Sequence, residues 1–362
     1  MKRIIVIPLL LFSLFLSSCT ESNTDTDFIR LGLESVFNDT VIYSINGVVH
    51  IMDVTTGANM PICARPNCNH DDEFCSARAV GATSFIHGNS LFLLLLQEGG
   101  ISLYKGDLNG GNRRRVFTID TPEKTDETIY RIHTKSNSSL FSDGKLYFLV
   151  QTSFMELTDI GTWEQSNLHK HTVYSYEFAS DTLTTVYDTD FALRAEWQIR
   201  SVSERAISYT MSYNTDENLE NIIIEHGYID RKSSSTIAIH TINELVMSSA
   251  DFVQVHNDYC YYIKNGNLYR RSLLTDNNEL LFEEVLHLEI FDDTLFVYTG
   301  TDWSETGYSF MRNGEWFKSD MSYRIYGETK SYFLGVNNSY KAILKSDFYA
   351  GIDTSFEIME AE

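Results

Sequence analysis

Tyr259-Cys260-Tyr261-Tyr262-Ile263-Lys264-Asn265-Gly266-Asn267-Leu268-Tyr269-Arg270 decides the fold. Two aromatic-rich apolar runs flank Asn-Gly, the dipeptide suited to a type I′ turn because both central residues need positive φ. The segment therefore reads as a hairpin. Val41-Ile42-Tyr43-Ser44-Ile45 faces Val48-Val49-His50-Ile51-Met52 across Asn46-Gly47 in the same way, and Leu140-Phe141 faces Leu146-Tyr147-Phe148-Leu149-Val150 across Asp143-Gly144.

Each hairpin is followed by a polar stretch rich in Asp, Thr, Asn or Gly and then by another apolar run, as in Met52-Asp53-Val54-Thr55-Thr56-Gly57. The pattern recurs with starts near residues 36, 81, 137, 197, 251, 287 and 322. A degenerate all-strand repeat of roughly 35–60 residues predicts an all-β propeller of about seven blades, with six or eight also compatible. A single four-stranded sheet buries one face well, and stacking such sheets around an axis buries both faces. Two β-sandwiches share this turn spacing but do not accommodate so many similar units. Helix signals are confined to 243–249 and 281–288, both short.

These segments, over about 36–350, resemble the irregular TolB-like and YWTD-like propellers of bacterial lipoproteins. The resemblance implies a fold and an anchoring mode but no activity.

The amino terminus supports the anchoring. Lys2 and Arg3 precede an apolar run at 4–16 that is too short to span a bilayer, and Leu16-Ser17-Ser18-Cys19 follows. This order resembles a bacterial lipobox. It implies a lipoprotein signal peptide at 1–18, diacylglycerol on the Cys19 thiol, and an extracytoplasmic, lipid-anchored location on a bacterial membrane. Two or more acyl chains hold a protein on a bilayer stably, at about 0.8 kcal/mol per buried methylene. The TESNTDTD run at 20–27 is polar and aperiodic, so 19–30 is expected to be a tether and 31–362 the propeller domain.

Five cysteines occur, at 19, 63, 68, 75 and 260. Cys63, Cys68, His70 and Cys75 form C-x4-C-x-H-x4-C within an insert at 61–78. Three thiolates and an imidazole satisfy the tetrahedral preference of a structural zinc site, and Asp71, Asp72 or Glu73 could orient the imidazole. Outside the cytoplasm the alternative is one disulfide with a free third thiol. The element resembles a Cys-rich insert placed after the first hairpin in lipid-anchored propeller proteins. Cys260, in an aromatic strand, reads as a small core residue.

The net charge of −22 opposes a nucleic-acid partner, and Arg113-Arg114-Arg115, the one basic cluster, reads as a solvated loop. His169-Lys170-His171 places two imidazoles on one strand face, with an exposed edge the simpler reading. Thr158-Asp159-Ile160-Gly161-Thr162-Trp163 is similar to a sialidase Asp-box but lacks its leading serine and has its tryptophan one residue early, so it reads as a turn. A Gly-x-Ser-x-Gly elbow, an Asp-x-Asp-x-Asp calcium loop and a phosphate-binding glycine loop are absent. No catalytic residue is nominated. The sequence predicts a surface-anchored, non-enzymatic module that binds a protein, peptide or glycan. The alternatives are a carbohydrate- or peptidoglycan-active enzyme with carboxylates in the central channel, and a metal- or redox-responsive envelope sensor.

Overall fold

The described residues form a ring of seven antiparallel sheets in sequence order: 34–61, 83–120, 128–193, 196–243, 253–282, 285–319 and 324–360, numbered sheets 1 to 7. Six are plain four-stranded blades, and sheet 3 is enlarged to seven strands. The protein is thus an all-β propeller. The computed structural model describes residues 29–31, 34–45, 47–63, 65–70, 75–78, 83–97, 99–142, 144–193, 195–215, 222–243, 253–275, 277–299, 307–312, 314–319, 321, 324–336 and 339–360. Cys19, the expected signal peptide at 1–18 and most of the expected tether lie outside them. No helix of the described residues is long and apolar enough to cross a membrane.

The second strand of a sheet is sandwiched between neighbouring sheets, so it reads as a continuous apolar run rather than an alternating one. Leu91, Phe92, Leu93 and Leu94 are all buried, as are Leu146, Tyr147, Phe148, Leu149 and Val150. Outer strands such as Thr182–Asp188 are largely exposed and polar. One apolar cluster fills each junction around the ring. Phe92, Leu94 and Ile101 of sheet 2, for example, meet Leu146 and Phe148 of sheet 3, and Leu149 meets Trp197 and Tyr209 of sheet 4. Each fully buried Leu or Phe contributes about 1.5–3 kcal/mol.

Among the described residues the ring closes without exchange of strands between the first and last sheets. Tyr332 and Leu334 of sheet 7 pack on Val41 and Tyr43 of sheet 1, with Ile358 beside them.

Asn265 and Gly266 have φ of 54° and 73°, as the type I′ reading requires. Three expectations are corrected. The third unit begins at Thr128 rather than near 137, because its first strand, Thr128–Ser142, is 15 residues long and bulges between Thr134 and Ser139. The run at 281–288 is not a helix. Its apolar residues divide between strands Asn278–Phe282 and Val285–Phe291, with Glu284 left-handed at φ 58° between them. The expected tether at 19–30 is shorter, since Ile29–Leu31 is a strand paired antiparallel with Phe141, Leu140 and Ser139. Helix Lys345–Tyr349 is one turn long, too short to leave a period in the sequence. The segment 244–249 lies outside the described residues.

Candidate metal centre

The insert begins where the short outer strand Asn59–Pro61 leaves sheet 1. The Ile62 N–H donates to the Val49 carbonyl at 3.0 Å, and the Val49 N–H donates to the Ala77 carbonyl at 2.8 Å. Both ends of the loop are therefore pinned on one strand. Ile62, Cys75 and Ala77 are buried against Leu91 and Leu93 of sheet 2, and Cys63 and Cys68 pack on the same cluster. Asn67 and His70 take left-handed backbone conformations, φ 57° and 60°, which fold the loop back on itself.

The four nominated side chains converge. One ligand atom from each of Cys63, Cys68, His70 and Cys75 lies within 4.8 Å of all the others. Cys68 Sγ is 3.6 Å from Cys75 Sγ, and His70 Nδ1 is 3.3 Å from Cys75 Sγ. Two sulfurs bound at about 2.3 Å to one tetrahedral ion stand about 3.8 Å apart, so these separations suit a shared ion and exceed the ~2.05 Å of a disulfide. All three cysteines are free thiols. The donor set fits a borderline-soft divalent metal such as zinc. Asp71, Asp72 and Glu73 lie outside the described residues.

Positive charge surrounds the sulfurs. The Arg65 guanidinium donates to Cys68 Sγ at 3.2 Å, and the Ala77 N–H donates to Cys75 Sγ at 3.4 Å. Burial opposes ionisation of Cys63, but the Arg65 backbone N–H, the Ser76 hydroxyl and the Arg65 guanidinium outweigh it and hold the thiol at about 6. Arg113 was expected in a solvated loop. Its Nη2 is instead buried without a hydrogen-bond partner among the described residues, and its Nε donates to the Gly110 carbonyl at 3.0 Å. Burial lowers its pKa, and the Cys75 sulfur acts in the opposite direction. A C-x4-C pattern carries no signal for Arg113, which reaches the insert from sheet 2. Ser76 Oγ lies 3.2 Å from both the Ile62 and Asn109 carbonyls, tying the loop to the 107–113 turn.

The remaining candidates separate. His171 is buried and stacked on Trp197 at 6.3 Å, so the exposed-edge reading fails for it, while His169 lines a surface cleft. Thr158 and Thr162 close a turn through paired hydrogen bonds of 2.8 and 3.0 Å, as expected. Trp197 stacks on Tyr209 and Trp316 packs on Phe282, so both serve sheet junctions. Cys260 is fully buried in a sheet junction, and desolvation pushes its thiol up to about 12. Two inner-strand carboxylates are held by structural partners: Glu289 by the Gln254 amide at 2.8 Å and Glu328 by Lys345 at 2.5 Å.

No protein family and no curated protein matches the sequence. Solved structures with similar folds are β-propellers. The β-propeller domain of the Trilobed protease from Pyrococcus furiosus is 10% identical, with 94% of this chain and 97% of that chain covered and a TM-score of 0.47. Dipeptidyl peptidase 4 from Porphyromonas gingivalis is 9% identical, with 92% and 50% covered and a TM-score of 0.44, so this chain spans half its length. TolB from Acinetobacter baumannii is 10% identical, with 86% and 69% covered and a TM-score of 0.32.

Proposed function

We propose that this chain is a lipid-anchored, non-enzymatic β-propeller of a bacterial envelope. It binds a protein, peptide or glycan on the face where the strands of sheets 3 and 4 stand tallest. The observation that carries this reading is the register of Ile29–Leu31. First strands of adjacent sheets lie against one another and form the inner ring. Ile29–Leu31 sits on the inner edge of sheet 3, with Ile29 opposite Phe141 beside the Asp143-Gly144 turn and Leu31 opposite Ser139. The chain therefore comes in at the face of the 143–144 turn and runs toward the opposite face, where sheet 1 starts. A tether ending at residue 28 would leave from the 143–144 face and turn the other face away from the membrane.

That outward face has the features of a contact surface. Strands Thr128–Ser142 and Lys145–Leu157 rise along it, and Trp163–Gln165 pairs with the far end of the second. Leu157, Ile160, Leu168 and Phe191 are exposed there, Ile160 at 82%. Phe191 meets Phe154 edge-on at 5.2 Å, and Lys124 covers Trp163 at 5.2 Å. Clustered exposed apolar groups mark interaction sites.

The Cys3His cluster serves this module as a zinc staple. Four protein ligands fill a tetrahedral site, so the metal would order a loop rather than activate water.

The test is a glycan and peptide array probed with the full chain in detergent, followed by a hydrolysis screen of every hit. Binding without turnover, lost in Ile160→Asp and Phe191→Ser, supports the reading. Turnover of a bound ligand, or binding unchanged in both variants, overturns it.

A further inference from the structure

We propose that the cleft between sheets 3 and 4 is a binding site for a neutral mono- or disaccharide, an inference that rests on the tall-strand face being the ligand-binding end. The cleft has a volume of about 330 Å³, at the small end of the range for small-molecule sites. Its walls come from the loop after Trp163–Gln165, the start of sheet 4, and the facing ends of strands Ala206–Asn214 and Ile222–Asp230.

The lining selects the ligand by exclusion. Gln165, Asn167 and Asn214 present amides and Ser212 a hydroxyl, groups that both donate and accept and so match vicinal sugar hydroxyls. Tyr213 adds an aromatic ring and Ile222 an apolar side chain, which suit the C–H face of a pyranose. An anionic ligand is disfavoured by the Glu196 carboxylate in the wall and by the net charge of −22. A cation is disfavoured because Glu196 is the sole carboxylate among the lining residues and lies 3.7 Å from His169 Nδ1. A wholly apolar ligand would leave the amides unpaired.

Two further details point to a hydroxyl-bearing guest. Asn214 Oδ1 is buried and has no hydrogen-bond partner among the described residues, an acceptor that is costly to leave unsatisfied. His169 Nδ1 stands 3.0 Å from the Ala195 carbonyl, which only accepts, so Nδ1 carries a proton, and whenever the ring is neutral Nε2 is an acceptor. One wall therefore offers acceptors for O–H groups, and the amide nitrogens offer donors for their oxygens.

The experiment uses the full chain in detergent. Glucose, N-acetylglucosamine, cellobiose and chitobiose are titrated at millimolar concentration, with saturation-transfer NMR and calorimetry as readouts. At least one sugar should bind, and Asn214→Leu and Tyr213→Ala should each weaken it by about tenfold or more. Leu274→Ser, on an exposed turn of sheet 5 at the opposite face, should not change it. Thermal melts of every variant establish folding, and Asn214→Asp, which keeps an acceptor in place, should retain part of the affinity. No binding of any of the four sugars, or binding that survives Asn214→Leu and Tyr213→Ala, overturns the proposal. If the sugars fail while a peptide binds in an Ile160-dependent way, the face assignment stands and the saccharide assignment falls.

Discussion

Asp39 and Ser331 stand 292 positions apart in sequence and are joined by two hydrogen bonds. The Ser331 backbone N–H donates to Asp39 Oδ1 at 2.8 Å, and the Ser331 hydroxyl donates to Oδ2 at 2.9 Å. The Thr329 hydroxyl donates to Oδ1 as well, at 2.8 Å, and the Lys330 N–H donates to the Asn38 carbonyl at 2.7 Å. One carboxylate thus closes the turn of sheet 1 onto the turn of sheet 7. In a ring whose end sheets share no strand, this contact and the apolar cluster beside it hold the circle shut.

Asp39→Ala should therefore destabilise the whole domain rather than one turn. Hydrogen bonds to a charged group contribute about 1.5–3 kcal/mol each, reduced by partial exposure, so the expected loss is about 2–4 kcal/mol. Urea unfolding monitored by tryptophan fluorescence checks this. A loss under about 0.5 kcal/mol would assign closure to the apolar cluster alone.

The insert should depend on Gly110. This residue has φ +74°, and a Cβ there would stand 2.8 Å from both the Ile62 and Ser76 carbonyl oxygens. Gly110→Ala should cost about 2 kcal/mol or more through left-handed strain and overlap, and should loosen the loop that carries the sulfurs. Elemental analysis of anaerobically purified protein should give about one zinc per chain for the wild type, much less for Cys68→Ser, and a reduced value for Gly110→Ala. A metal-free wild type with a Cys63–Cys75 or Cys68–Cys75 bridge by mass spectrometry would make the insert a disulfide-stapled loop.

A pH dependence follows from Glu328. Burial raises its pKa above the ordinary 4.5, and the ion pair with Lys345 and the Asp292 N–H offset only part of that. A carboxyl raised in the fold binds its proton more tightly there than in the unfolded chain. Its contribution is complete below about 4.5 and is lost as pH rises through the folded value. Glu328→Gln should flatten the stability profile just above that pH, as followed by thermal melts across pH 4–8. An unchanged slope would locate the dependence elsewhere.

Much of the ring was legible because turn chemistry is local. Asn265-Gly266 and the apolar runs beside it specify a hairpin without reference to any other part of the chain, and the repeat of that unit implies a ring. The cluster of Cys63, Cys68, His70 and Cys75 was legible for the same reason, since its ligands lie in one loop. What was hidden is tertiary. Arg113 comes to the insert from sheet 2, Asn214 lines a cleft only because sheet 3 stands beside it, and Ile29–Leu31 pairs with residues 110 positions away. His171 became buried because Trp197 of the neighbouring sheet covers it, which strand alternation alone does not reveal.

The proposed anchoring turns the tall-strand face away from the membrane, and collisional quenching in proteoliposomes tests this most directly. A fluorophore is placed on Ile160→Cys or on Ser180→Cys in the lipidated chain, and quenching by nitroxide-bearing lipids is compared. The two sites lie at opposite ends of sheet 3, whose strand Lys145–Leu157 has 13 residues, a span of about 40 Å. A tether ending at residue 28 reaches roughly 15–20 Å. Strong quenching at position 180 with little at 160 is the predicted result. Equal quenching, or the reverse order, would contradict the account.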